Sequence, residues 1–578
     1  MKEWFNLQVN SAIIALTGES GEGIISMGEV LAKSLARMGV NVMTFRTYPA
    51  EVRGGQCVFT INAQQDPVHS QGGDYDILLC MDSTSYTING PRLKPSGVLI
   101  YNSESMPQEP IRAVSYGVPV KSLSTSTGSQ RSKNIVMLGV LAKLLRMDAS
   151  RIRTVMDERW GKNAEVKKRN TEAFVAGFDW TSANLIKKDA IIIEPVEALE
   201  MLLLSGNEAI CLGSMAAGCR FFSGYPITPA SDILEWLMEK LPKVGGIAIQ
   251  VEDEISAIGA AMGASYSGVR AMTATSGPGL ALMTEFVNLA GAAEVPIVIV
   301  DVQRAGPSTG MPTKTEQSDL SHAAFGGPGE SPRIVLAPTS VEDCFYQSMK
   351  AFNLADKYQL PIIMLSDQSL SHRLETIPML DPARVPLVFP KRPSSDELRH
   401  YKRYAKTDDC VSPMSIPGMV GGAYVATGIE RDEIGMPDYE PSNHKLNMQR
   451  RMKKLERAAV EDAEFEMYGA PDAAIGVVSW GSTTGAVREA VQSAVDKGIM
   501  VSSLHPKLLY PMPKKQIGDW LSRKKEVLVV EANQTGQYQR MLQSDFGMNM
   551  RQLRETTGLP ITSTEILAEI REVSKLAR

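Results

Sequence analysis

Three times along this chain of 578 residues an apolar, β-type run ends in a glycine-rich turn and passes into a stretch of helical periodicity. That recurrence limits the fold more than any other feature. A strand that hands on to a helix builds parallel sheet flanked by helices, not a bundle or a sandwich. The first block opens with a strand over 11–17, turns at Gly18-Glu19-Ser20-Gly21-Glu22-Gly23, and continues as a helix over 24–38. Gly39 is placed to end that helix in a left-handed conformation. Strands are expected next at 40–45, 77–81 and 98–101, with an apolar helix over 135–145, so the block reads as an open parallel sheet. The second block starts near Glu208, with strands expected at 221–223, 247–252, 271–274, 297–301 and 362–365 and a helix over 232–239. The third, 472–578, has strands at 473–479 and 526–531, ending in glycine turns at Gly481–Gly485 and Asn533-Gln534-Thr535-Gly536.

Prolines recur between 381 and 459, where a basic run, 450–454, also falls. Aromatic and apolar residues are interspersed, so this segment reads as a long, mostly irregular connection wrapping over other domains, with a flexible linker as the alternative. The chain is therefore α/β, with three doubly wound domains at 1–192, 193–385 and 461–578 and an extended wrapping connection at 386–460.

Composition excludes several functions. Sixty basic against sixty-five acidic residues leave a net charge of −5, without the basic excess of a nucleic-acid binder. No apolar run approaches the roughly 18 residues that cross a bilayer, and the N-terminus shows no export signal, so a cytoplasmic protein is expected. The six cysteines form no CxxC pair and the six histidines no HxxxH spacing, so no metal or cluster site is expected in this chain.

Each motif admits two readings. The first glycine loop invites a dinucleotide, but its order is GxxGxG, it carries Glu19 and Glu22 where a pyrophosphate would sit, and no acidic residue closes the second strand; a packing turn is the stronger reading. Tyr48-Pro49-Ala50-Glu51-Val52-Arg53-Gly54-Gly55 is either an anion site built on an arginine and a glycine pair or a tight turn. Gly224-Tyr225-Pro226-Ile227-Thr228-Pro229-Ala230-Ser231 follows a strand, and two prolines stiffen it, so the Tyr225 and Thr228 hydroxyls suit a small acid; a helix-capping turn explains part of it. Glu252, Asp253 and Glu254 open a helix studded with small residues, as caps or as the acidic mouth of an interface holding a ligand. Arg304 ends the strongest strand and precedes Gly306-Pro307-Ser308-Thr309-Gly310, either a carboxylate clamp or a surface arginine.

Taken together, these motifs resemble the 2-oxoacid:ferredoxin oxidoreductases, thiamine-diphosphate enzymes that make an acyl-CoA and reduced ferredoxin. Three segments carry the resemblance: GYPITPAS at 224–231, EDEISA at 252–257, and QRAGPSTGMPTKTEQSDL at 303–320. The second block resembles the alpha subunit's pyrimidine-binding domain, the third its transketolase C-terminal-like domain, and the first the gamma subunit, fused at the N-terminus. The resemblance implies that Glu254 hydrogen-bonds N1′ of the coenzyme's aminopyrimidine, favouring the imino tautomer whose nitrogen removes the thiazolium C2 proton. It implies that Arg304 binds the substrate's 1-carboxylate, helped by Thr228 and Thr309, with Tyr225 lining the pocket.

The resemblance also implies a beta subunit that holds the diphosphate, Mg2+ and a [4Fe-4S] cluster, with the active site at the shared interface of an alpha2beta2 heterotetramer. Ferredoxin takes the electrons, and coenzyme A is expected near the gamma-type domain. The fusion, the PTKTEQSDL stretch and residues 428–454 look most like the 2-oxoglutarate-type enzymes; pyruvate or a branched or aryl 2-oxoacid is the alternative. Two readings from other classes stand beside it: an NAD-dependent Rossmann oxidoreductase and a non-catalytic scaffold subunit.

Overall fold

The computed structural model describes residues 11–49, 54–106, 114–128, 130–196 and 200–576. The chain divides into two compact units, one of Met1–Leu204 with Arg373–Met379 and one of Ser205–His372 with Leu380–Arg578.

The first unit is built on an eight-stranded sheet. Its order is Val114–Val118, Leu93–Asn102, Tyr75–Cys80, Ala12–Glu19, Gln56–Gln64, Asn41–Thr47, Leu374–Pro378 and Met201–Ser205. The sheet is mixed, which corrects the parallel expectation: Gln56–Gln64 lies between Ala12–Glu19 and Asn41–Thr47, antiparallel to both. Its apolar run is broken by Thr60 and Asn62, which hid it in the sequence. Asn62 is nevertheless buried, its side-chain amide donating to the Ser70 carbonyl at 3.0 Å. The strand Leu374–Pro378 lies within the 193–385 range of the second block but pairs here with Asn41–Thr47. Two helices, Lys133–Leu144 and Ala164–Asn184, cross backbone on backbone at a pair of glycines. A Cβ on Gly177 would stand 2.0 Å from the Val136 carbonyl oxygen, and one on Gly139 2.2 Å from that of Phe174.

The second unit holds two sheets. Seven strands run in the order Leu508–Tyr510, Ile334–Leu336, Pro361–Asp367, Ile297–Gln303, Ala271–Thr275, Phe221–Gly224 and Ile247–Gln250. All are parallel except Leu508–Tyr510, which comes from the third block and adds antiparallel to Ile334–Leu336. Five strands, Phe465–Gly469, Val501–Pro506, Ile475–Ser479, Glu526–Glu531 and Arg551–Arg554, form the other sheet. One apolar cluster joins Ile299 and Val335 to Trp480, Leu504 and Met512, so the second and third blocks share a core.

The connection is less irregular than its prolines suggest. From Pro441 to Glu461 it is a single helix with proline at its first turn, where the missing N–H costs nothing. The basic run lies on this helix and is not a solvated face. Arg450 and Lys454 are buried against Glu294 and Arg451 against Glu430, acids from elsewhere in the chain, while Lys453 is exposed.

Candidate functional site

In an open parallel sheet, ligands gather where the carboxyl ends of the strands open onto loops. Here four such loops lie side by side, following Phe221–Gly224, Ile247–Gln250, Ala271–Thr275 and Ile297–Gln303. They carry the residues singled out from the sequence.

Glu254 is the first residue of the helix Glu254–Tyr266, whose cap is Asp253, accepting from the Ser256 backbone N–H at 2.7 Å. A carboxylate in the first helical turn is stabilised by the helix dipole. Glu254 is 6% exposed, and among the described residues no hydrogen bond occupies its carboxylate. Behind it stands Gly279, in the first turn of the helix Gly277–Ala293. A Cβ there would lie 2.0 Å from Thr275 Oγ1 and 2.7 Å from Glu254 Oε1. Only glycine lets the second helix approach this closely. Gly279→Ala should therefore lower kcat by about a hundredfold through displacement of the acid. Thermal stability should also fall, because alanine's helix preference of about 1 kcal/mol offsets only part of the overlap with two buried side chains; turnover and melting of the same preparation check this.

Arg304 directly follows the strand Ile297–Gln303, buried at every position. It is 5% exposed; its Nη1 donates to the Thr228 carbonyl at 2.6 Å, while its Nε has no partner. Among the described residues no carboxylate comes within ion-pair reach of it. The structure thus joins Arg304 to the loop after Phe221–Gly224 through the Thr228 backbone. The Thr228 side chain is partly buried, Tyr225 is 39% exposed, and Thr309 is exposed on the loop that follows Arg304. No hydrogen bond links Glu254 to Arg304.

Arg304 lines a cavity of about 670 Å3. The cavity takes Gly277 and Pro278 from a helix start, Glu316 and Asp319 from the TEQSD run, His322, and Asn533, Gln534 and Gln537 from the third block. Burial lowers Arg304 from its ordinary range against the pull of Asp319 and Asp301. Asp301 is fully buried with neither carboxyl oxygen partnered, and burial pushes it well above the usual carboxylate range. Burial, then the charge of Glu316, pushes Asp319 up to about 6. The sequence reading missed Asp301, Glu316, Asp319 and His322. A signal for two of them, Glu316 and Asp319, existed in the TEQSDL string, which served only to identify the family.

The other motifs fall differently. In the first glycine loop Glu22 folds back, its Oε2 within 2.9 Å of where a Cβ on Gly18 would stand. Asn134 donates to the Gly23 carbonyl at 3.2 Å, so side chains of the chain itself crowd the place a pyrophosphate would need. Residues 50–53, and with them Arg53 of the proposed anion site, lie outside the described residues. Among the described residues no group of three or more His, Cys, Asp or Glu is arranged to hold a metal ion, and no helix is long and apolar enough to cross a membrane. All six cysteines are buried.

Known proteins match along nearly the whole chain. Residues 13–180 match the pyruvate ferredoxin/flavodoxin oxidoreductase family, 212–450 the thiamine-diphosphate-binding domain of pyruvate flavodoxin/ferredoxin oxidoreductases, and 473–558 core domain II of pyruvate:ferredoxin oxidoreductase. The 2-oxoglutarate oxidoreductase subunit KorA of Mycobacterium tuberculosis is 30% identical, the match covering 97% of this chain and 91% of that one. The 2-oxoglutarate synthase subunit KorA of Methanothermobacter thermautotrophicus is 39% identical over 58% of this chain and 88% of its own length. The 2-oxoglutarate:ferredoxin oxidoreductase of Magnetococcus marinus, solved with 2-oxoglutarate, coenzyme A and succinyl-CoA bound, superposes with a TM-score of 0.93 at 38% identity, covering 98% of this chain and 100% of that one. With Glu254 and Arg304 lying on the stretch that matches the thiamine-diphosphate-binding domain, this chain belongs to the 2-oxoacid:ferredoxin oxidoreductases as an alpha-type subunit carrying a gamma-type N-terminal part.

Proposed function

We propose that this chain, with a beta subunit, interconverts 2-oxoglutarate, coenzyme A and oxidised ferredoxin with succinyl-CoA, carbon dioxide and reduced ferredoxin. The observation that carries the proposal is a buried guanidinium with an unused Nε–H on the wall of a cavity that lies, like the unpaired Glu254 carboxylate, at the C-terminal edge of the sheet. The likeness to enzymes named for 2-oxoglutarate supports that substrate over pyruvate.

Thiamine diphosphate, when bound, supplies a carbon nucleophile and an electron sink for decarboxylation. The residues present fit its pyrimidine end: an acid without a partner, backed by a glycine that makes room for it. Glu254 holds a proton at N1′ of the aminopyrimidine. Arg304 orients the 2-oxoacid by its 1-carboxylate, and a planar fork suits a planar carboxylate. Thr228 fixes the arginine through its backbone carbonyl, while its hydroxyl, that of Thr309 and the Tyr225 ring border the substrate. Two walls of the cavity come from different blocks, which restricts water at the reacting centre.

The diphosphate, magnesium and a [4Fe-4S] cluster belong to the beta subunit in this reading, in a cytoplasmic alpha2beta2 assembly that reduces ferredoxin. Domain limits at 192, 385 and 460 complete the proposal. The co-expressed pair, assayed with a viologen dye, coenzyme A and a panel of 2-oxoacids, tests it. We expect 2-oxoglutarate to give the highest kcat/KM by at least about tenfold, the worth of one extra charged contact. Equal efficiency with pyruvate overturns the substrate choice, and turnover that requires NAD overturns the family chemistry.

A further inference from the structure

Three carboxyl groups lie around Arg304, none of them within ion-pair reach of it. Asp301 is sealed in the sheet with both oxygens unpartnered. Asp319 faces the cavity while its Oδ2 is buried without a partner. Glu316 faces the cavity too, accepting from the Gly306 N–H at 3.3 Å and the Ser318 hydroxyl at 3.0 Å. Were all three ionised, one guanidinium would face three negative charges in a poorly solvated space. An incoming carboxylate would add a fourth. Buried charge on that scale is relieved by holding protons.

The geometry points to which group responds. Asp301 has no cavity face, so it stays neutral throughout. Burial raises Glu316, but two donors, the Gly306 N–H and the Ser318 hydroxyl, pull back toward its charged form. Asp319 has neither excuse. Its backbone N–H donates to Gln303 Oε1 at 3.0 Å, tying it to the residue beside Arg304. Its carboxylate lies against the start of the helix Gly277–Ala293, where a Cβ on Gly277 would meet Oδ2 at 2.7 Å. The titratable groups around it are Arg304 and Asp301 from the strand end, Glu316 from the preceding loop and His322 from the helix Leu320–Phe325. The third block adds only neutral side chains, Asn533, Gln534, Thr535, Gln537 and Thr556.

We propose that Asp319 is a positioning residue that takes up one proton from solvent as the 2-oxoacid carboxylate docks on Arg304, so that the site recognises an anion together with a proton. The inference rests on Arg304 being the carboxylate anchor. The sign follows. Below about pH 6 Asp319 already holds its proton, and binding is independent of pH. Above it the proton must be captured on binding, so KM rises with pH, by at most about tenfold per unit.

The test measures KM for 2-oxoglutarate between pH 5.5 and 8.5 on the assembled enzyme. In the unmodified enzyme KM should rise at least about tenfold from pH 6 to 8, with no matching change in kcat. Asp319→Asn, neutral at every pH, should flatten KM to within about twofold across the range. A flat profile in the unmodified enzyme, or an unchanged slope in Asp319→Asn, overturns the proposal. If the asparagine variant does not assemble, Asp319→Glu decides: a displaced midpoint supports the assignment and an unchanged one overturns it. Arg304→Gln separates the two readings. If it leaves KM unaltered, the anchor itself is wrong; if it raises KM while the slope is missing from the unmodified enzyme, only the proton uptake falls.

Discussion

Glu254→Gln should reduce turnover by about a hundredfold to ten-thousandfold, the usual contribution of a positioned acid–base group, while leaving the protein folded and joined to its partner. The substitution keeps shape and volume, so packing against Gly279 is preserved. Its folding cost is bounded by the loss of an anion at a helix start, about 0.3–1 kcal/mol. What the amide lacks is the ability to hold a proton at N1′ of the coenzyme, since it presents either a neutral oxygen or an N–H that opposes the ring nitrogen's partner. Two measurements check this. Viologen reduction with 2-oxoglutarate and coenzyme A should collapse, and exchange of the coenzyme's acidic ring proton with deuterium should slow by a comparable factor. Full turnover in the variant would leave the chain as a scaffold subunit and remove the catalytic reading altogether.

Legibility in the sequence followed how locally each feature was written. The strands 297–301 and 526–531 were plain because every residue in them is apolar or ends a run, and the structure shows Ile297–Gln303 and Glu526–Glu531 there. Arg304 stood out because it sits one step past a strand, and Glu254 because it opens a helix four residues past one, where the chain turns and a charged residue has few structural duties. The Gln56–Gln64 strand was hidden because Thr60 and Asn62 are buried polar groups, Asn62 satisfied by the Ser70 carbonyl beyond the strand, and no local pattern announces such burial. Leu508–Tyr510 was missed for a related reason: three residues carry no period, and only the distant Ile334–Leu336 edge gives them a ladder. Asp301 and Asp319 became visible as a pair only when the fold brought both toward Arg304. The basic run 450–454 was legible only as part of an irregular connection, because the acids that bury Arg450, Arg451 and Lys454, Glu294 and Glu430, come from elsewhere in the chain.

That basic run yields the second large effect: Glu294→Gln should destabilise the chain by about 3–5 kcal/mol, the cost of stripping one partner from a buried ion cluster. Glu294 follows the helix Gly277–Ala293 with φ 56° and is fully buried. Its carboxylate accepts from Arg450 and, at 2.6 Å, from Lys454 Nζ, and its carbonyl accepts from Arg403 at 2.7 Å. Burial alone would raise its pKa, but the charges of Lys454, Arg450 and Arg403 hold it well below the usual carboxylate range. Burial pulls Lys454 down to about 8 even with the acid present. Without that acid, at least two cations are left in an apolar interior with nothing to neutralise them. Thermal unfolding of the assembled enzyme should fall accordingly, and residues 386–461 should become the first site of proteolysis. The double variant Glu294→Gln with Lys454→Met should regain part of the loss, because an unpaired buried charge costs more than an apolar replacement of similar length. A melting temperature unchanged by Glu294→Gln would mean that the connection is held by its apolar contacts alone. The result reaches the site as well, since the helix that ends at Glu294 begins at Gly277 and Gly279, beside Asp319 and Glu254. Freeing one end of a rigid rod loosens the other.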